Sequence, residues 1–130
     1  MEILLDTCTF LWWALGDPHV PPATAALLRE PANRVYLSAA SAWEIAVKHA
    51  RGRLRLPEPP TAWVPFWRAR YRLEALAVDE TDALHVGKLP AIHRDPFDRI
   101  LVAQALVRGW PIATPDPAIH AYPCQTIWPA

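Results

Sequence analysis

Short apolar runs alternate with helix-length segments along this chain, and that alternation narrows the available folds more than any other feature. Ile3-Leu4-Leu5, Val35-Tyr36-Leu37 and Ile112-Ala113 read as short strands, with weaker runs at Leu73 to Val78 and Gln125 to Trp128. Helical spacing fills the intervals at about Thr9 to Leu15, Pro22 to Arg29, Ala40 to Ala50, Thr61 to Tyr71, Glu80 to Gly87 and Pro96 to Arg108. Gly16-Asp17-Pro18, Gly52, Pro57-Glu58-Pro59-Pro60 and Gly109 punctuate them, as residues that end helices or form turns do. Parallel strands need crossover connections, which helices supply. The expectation is an α/β fold in three layers, α/β/α, around a central parallel sheet. Ile100, Leu101, Val102, Ala103, Leu106 and Val107 cover most of the last long helix, so it should be buried between other elements.

One domain over residues 1–130 is long enough to bury a core. With 52% apolar and 20% charged residues, disorder is excluded. Cys8 and Cys124 have no metal-type spacing and form no disulfide framework, which fits a reduced, cytoplasmic protein. Glu2 and Asp6 interrupt the N-terminus, so it does not read as a signal peptide, and no stretch has the length of a membrane span.

Four acids, Asp6, Glu44, Asp98 and Asp116, each stand where a strand hands over to a helix or loop. An open parallel sheet gathers the carboxyl ends of its strands along one edge, where α/β proteins place their sites. Acids far apart in sequence would then share one pocket. Clustered carboxylates repel one another unless a cation lies among them, so the pattern points to Mg²⁺ or Mn²⁺, which take oxygen ligands. Such ions activate water and stabilise a leaving oxygen in phosphoryl displacement. Thr7, Ser38 and Thr114 could orient carboxylates or waters, with routine turn and capping chemistry as the alternative, favoured for Ser38.

Each acid also has a local explanation. Ser41-x-x-Glu44 fits a capping box, and Glu44 with Lys48 fits an i,i+4 surface pair. Asp95-Pro96-Phe97-Asp98 reads as N-cap, N1, N2 and N3, where the helix dipole favours a carboxylate. Asp116, between two prolines, fits a turn. Asp6, between apolar neighbours, is the hardest to explain locally, because an unpaired buried charge is costly. His93 in the preceding loop is a rival centre for acid–base or phosphate contact, with ordinary loop placement as its alternative.

Net charge is zero, yet Lys48, Arg51, Arg53, Arg55, Arg68, Arg70 and Arg72 face only Glu58 among the acids of that stretch. A basic stripe beside an acidic pocket suits a phosphodiester substrate; a solvated face explains it equally. Trp63, Phe66, Trp67 and Tyr71 belong either to an interface or to the core.

Four ordered pieces carry a family resemblance. They are Leu4-Leu5-Asp6-Thr7 with Leu11-Trp12-Trp13; Leu37-Ser38-Ala39-Ala40-Ser41-Ala42-Trp43-Glu44-Ile45; His93 to Ala105 around Asp95-Pro96-Phe97-Asp98; and Ala113-Thr114-Pro115-Asp116. Together they resemble the PIN-domain ribonucleases, specifically the VapC-type toxins of toxin–antitoxin pairs, over nearly the whole chain. The resemblance implies the α/β/α fold, a four-carboxylate Mg²⁺ or Mn²⁺ site and endonucleolytic cleavage of RNA. By position Asp6, Glu44, Asp98 and Asp116 match the family's acids, with Asp95 the rival of Asp98. It also implies a homodimer and a cognate antitoxin. The alternative is a PIN-like module that binds RNA or protein without catalysis. A haloacid-dehalogenase-type phosphatase is disfavoured, because the second aspartate it needs falls at Cys8.

Overall fold

Ile3, Leu4 and Leu5 have no exposed surface. Consecutive strand residues point to opposite faces, so this strand must be covered on both sides. The computed structural model describes residues 1–130 and supplies that cover. Its elements are β1 (Glu2–Leu5), α1 (Thr7–Ala14), α2 (Pro22–Arg29), β2 (Arg34–Ser38), α3 (Ala39–Ala50), α4 (Pro60–Arg70) and β3 (Glu74–Leu76). There follow α5 (Glu80–His85), a 3-10 turn over Val86–Lys88, α6 (Pro96–Arg108), β4 (Ile112–Ala113), α7 (Pro117–His120) and β5 (Thr126–Ile127). Only α7 had no counterpart in the sequence reading.

All strand pairs are parallel, in the order β3-β2-β1-β4-β5. The chain winds outward from β1 to β3, then returns to the other side of β1 for β4 and β5. The order therefore reverses between β1 and β4, and a crevice opens there beyond the strands' carboxyl ends.

Period-two alternation sorts the core into two halves. Ile3, Leu5, Val35, Leu37 and Ala113 pack with Phe10 and Trp13 of α1, Leu28 of α2, Ile45 of α3, and Trp63 and Val64 of α4. Leu4 and Ile112 pack on the opposite side with Leu101, Val102, Ala103 and Ala105 of α6, and with Ile119 and Tyr122. Three layers result, as expected. α6 is buried over its middle, although Val107 near its end is exposed. The aromatic segment divides: Trp63 is core, Trp67 and Tyr71 pack against it, and Phe66 is exposed.

A buried polar network ties the second half together. Ser38 Oγ donates to Gln104 Oε1 at 2.6 Å, and Gln104 Nε2 donates to Asp82 Oδ2 at 3.1 Å. Arg108 donates to Asp82 at 2.7 Å. Burial pushes the Asp82 carboxyl up, but bonds from Arg108, Gln104 and the Asp79 N–H outweigh it and hold the group below the usual range. No helix is long and apolar enough to cross a membrane.

Candidate active site

Asp6 follows β1 at the N-cap position of α1, yet its side chain forms no capping hydrogen bond. It is 3% exposed. Its Oδ2 instead accepts a 2.8 Å bond from Thr114 Oγ1, beyond β4. The same Thr114 oxygen accepts the Asp116 N–H at 3.0 Å, so one hydroxyl joins the ends of β1 and β4. Asp116, partly buried, caps the short α7 by accepting the Ala118 N–H at 2.9 Å.

Glu44 lies in α3 and is buried. The capping-box reading of Ser41 and Glu44 does not hold. The helix starts three residues earlier than that box requires: Ser38 is the N-cap and accepts the Ala40 N–H at 3.0 Å. Ser41 is taken instead by Thr7, whose hydroxyl donates to it at 2.8 Å; Thr7 thus joins α1 to α3 rather than touching a carboxylate. Lys48 pairs with Glu44 Oε2 as the spacing suggested, but around a buried carboxylate rather than on the surface. Glu44 Oε1 is buried with no partner at all.

Asp95 and Asp98 occupy the N-cap and N3 positions of α6, as read. Asp95 Oδ1 accepts the Phe97 N–H at 2.9 Å and the Asp98 N–H at 3.4 Å. Asp98 is buried, and its Oδ2 lies 3.0 Å from His93 Nε2. One ligand atom each from His93, Asp95 and Asp98 can be chosen so that all lie within 4.8 Å of one another. The sequence set Asp95 against Asp98, and the fold brings both together with the histidine. The loop carrying His93 is fixed by residues that no spacing singled out. Arg99 donates to the carbonyls of Val86, Pro90 and His93 and to the Tyr122 hydroxyl, while Tyr122 Oη accepts the His93 N–H at 3.0 Å.

These acids act on one another across elements. Burial pushes the Asp6 carboxyl up to about 6 against its bond from Thr114, and the charges of Asp116 and Glu44 add to the rise. Asp98 is pushed up to about 7 by burial, then by Asp95 and Asp6, with His93 opposing and Glu44 adding. Carboxyls drawn from β1, α3, α6 and the end of β4 therefore share one electrostatic neighbourhood. Cys8, at the rim, has its thiol pushed up to about 11 by partial desolvation and by Asp6 and Glu44, so it supplies no thiolate at neutral pH.

The donor set fits a hard divalent cation. It is oxygen-rich, the Asp6 and Asp98 carboxyls are raised by burial and then by neighbouring acids, and Glu44 Oε1 is an unpartnered buried acceptor of the kind that protein groups rarely leave unsatisfied. At the rim, Trp43 is 52% exposed and meets Phe97 edge-to-face at 4.6 Å between centroids. The basic stretch does not form one stripe beside this pocket. Lys48 reaches it, but Arg68 donates to the carbonyls of Leu37 and Glu74 and binds β2 to β3. Arg70 and Arg72 line a cleft at the other edge of the sheet.

A family model described as the PIN domain matches residues 3–123. Ribonuclease VapC16 of Mycobacterium tuberculosis is 40% identical over 87 residues, which are 61% of this chain and 62% of that protein. The match thus spans less than two thirds of that relative's length. Ribonuclease VapC22 of the same organism is 26% identical over 130 residues, 97% of this chain and 98% of that protein. Among solved structures, a chain of the VapBC2 assembly of Rickettsia felis bound to a promoter DNA fragment superposes with a TM-score of 0.75 at 14% identity, covering 99% of this chain and 100% of that one. DNA-bound VapBC of Salmonella typhimurium gives 0.72 at 21% identity, covering 98% and 97%. At those identities the likeness is one of fold.

Proposed function

The chain belongs to the PIN domain family, and from that premise we propose that it is a divalent-metal-dependent endoribonuclease, the toxin of a toxin–antitoxin pair. The observation that carries this reading is the set of buried acids from separate elements, Asp6, Glu44 and Asp98: burial raises the Asp6 and Asp98 carboxyls, and the charge of Glu44 adds to both rises. Asp6, Glu44, Asp98 and Asp116 would hold Mg²⁺ or Mn²⁺, with Asp95 and His93 beside Asp98. Such an ion, when bound, lowers the pKa of water and neutralises charge on a leaving oxygen.

The remaining work falls to the chain's own groups. Thr114 fixes the Asp6 carboxylate and the Asp116 backbone together, so the two acids keep one spacing. Lys48 orients Glu44. His93, held by Tyr122 and Arg99, sets its Nε2 3.0 Å from Asp98 Oδ2 and so positions that carboxyl. Trp43 and Phe97 offer an aromatic surface on which an unpaired base can stack, the usual means of reading single-stranded RNA. The VapBC assemblies among the structural neighbours support an antitoxin as one protein partner, and the family resemblance implies a second copy of the chain as another.

Purified protein incubated with structured RNA and Mg²⁺ or Mn²⁺ should give discrete cuts, abolished by EDTA and by Asp6→Asn. Cutting that survives Asp6→Asn would remove the proposed site. Light scattering on the isolated protein tests the homodimer, and co-purification with the product of an adjacent reading frame tests the antitoxin.

A further inference from the structure

A cleft of about 560 Å³ opens at the amino ends of β2 and β3, at the opposite edge of the sheet from the carboxylates. Arg29, Arg34, Arg70 and Arg72 line it, with Glu30 and Glu74 as its acids. All four arginines are exposed. None forms an ion pair, and the chain's ion pairs involve only His19, Lys48, His93 and Arg108 as their basic members. Four guanidinium groups thus converge on one concavity without being neutralised by the carboxylates beside them.

Two details separate this from an ordinary solvated surface. The wall is rigid: Tyr71, also lining the cleft, stacks on Trp13 at 3.8 Å and donates its hydroxyl to the Trp13 carbonyl at 3.0 Å. Burial raises that hydroxyl's pKa while the charges of Arg70 and Arg29 oppose the rise, so both cations stand around the same ring. The second detail is Arg72, at φ +54°. Gly16, Gly52 and Gly109, which follow α1, α3 and α6, take φ +71°, +70° and +71°. A left-handed residue there suits glycine, because an L side chain is disfavoured. After α4 an arginine holds the position. Helix dipoles account for Arg29 and Arg70 in the last turns of α2 and α4. They do not account for Arg34 on a strand, nor for Arg72.

We propose that this cleft binds the phosphodiester backbone of RNA and holds a second segment of a folded substrate while the carboxylates at the other edge act on the first. This rests on the ribonuclease reading above. The five-residue β2 sets the two sites roughly 16 Å apart at about 3.3 Å per residue, a span that a folded RNA covers. The electrostatic need is plain, since the chain has zero net charge and its acid cluster repels phosphates. Affinity for RNA must come from a local surplus of cations.

The test compares the native chain with the double variant Arg70→Gln/Arg72→Gly, using fluorescence anisotropy in EDTA so that no cleavage intervenes. Probes are mixed transfer RNA, a five-nucleotide RNA, and duplex DNA of transfer-RNA length. Glycine is at ease at φ +54°, so the thermal midpoint should not fall. Affinity for transfer RNA should fall, and the slope of log K against log salt should shrink by about 1.4–1.8 for two lost phosphate contacts. Binding of the five-nucleotide RNA should stay within twofold. Unchanged transfer-RNA affinity and slope, or no binding by the native chain, would overturn the proposal. So would an equal loss for duplex DNA, which would mark a general polyanion surface. A parallel Mn²⁺ cleavage assay separates the two readings. Cutting without any effect of the double variant on binding removes the cleft alone, and loss of binding without cutting removes the ribonuclease reading alone.

Discussion

Replacing a buried site acid should stabilise this protein, and Asp6→Asn puts a number on the effect. Asp6 has an ordinary value of 3.8 in the unfolded chain and is pushed up to about 6 on folding. Its carboxyl therefore holds a proton in the folded chain that the unfolded chain has released. Below about pH 4 both states are protonated and the group costs little. Between about 4 and 6 the penalty grows, and above 6 it is complete. A rise of about 2 units corresponds to about 3 kcal/mol at pH 7.5, against roughly 0.5 kcal/mol at pH 4. Asparagine carries no charge and still accepts the Thr114 bond through its carbonyl. In EDTA at pH 7.5, Asp6→Asn should raise unfolding stability by about 3 kcal/mol, or roughly 10 °C in a chain of this length, and by much less at pH 4. Adding Mn²⁺ should stabilise the native chain far more than the variant, because ligand binding to the folded state adds stability. Guanidinium and thermal unfolding followed by circular dichroism, at both pH values with and without Mn²⁺, measure all of this. A variant less stable than the native chain at pH 7.5, or equally shifted at both pH values, would show that Asp6 is not a charge penalised by burial and by the acids beside it.

Four other outcomes follow from the same geometry. Asp98→Asn should abolish Mn²⁺ binding in calorimetric titration, whereas Asp95→Asn, which preserves an N-cap acceptor, should only weaken it; the reverse order would make Asp95 the principal ligand. Lys48→Met removes a cation beside Glu44 and should tighten Mn²⁺ by roughly 3–10-fold while lowering the rate of RNA cleavage; weaker metal binding would assign Lys48 a purely structural role. Asp82→Ala leaves the Arg108 guanidinium without its buried partner and should cost about 3 kcal/mol in chemical unfolding, with a loss below 1 kcal/mol counting against the network. Trp43→Ala should raise KM for RNA without changing Mn²⁺ affinity, and an unchanged KM would remove the stacking role.

Helices and strands were legible because their signals are local. The apolar runs of β1 and β2, the Asp79 cap, the proline at N1 of α6 and the glycine after it act within a few residues of one another. α7 escaped notice because Asp116 between two prolines satisfies a turn and a helix cap equally, and only the packing of Ile119 against α6 selects the helix. The capping-box alternative for Glu44 fails for a related reason. Ser41-x-x-Glu44 is a good capping pattern, but β2 delivers the chain to the helix at Ser38, and the box lies inside the helix by then. The basic stretch looked continuous because sequence gives no direction, whereas α4 and β3 send Arg68 between strands and Arg70 and Arg72 to the far edge.

The amino-acid order by itself determined the element types, the parallel three-layer arrangement and the acids worth watching, since patterning and capping are set by neighbours along the chain. Only the tertiary structure decided which charges meet. Asp6 feels Asp116 across more than a hundred residues, Glu44 keeps one oxygen without a partner, and Asp95 and Asp98 both come within 4.8 Å of one histidine. The same folding carried four arginines from three separate segments to one cleft. Electrostatic interaction depends on separation in space and on burial, and strand order together with the packing of helices on the sheet sets both.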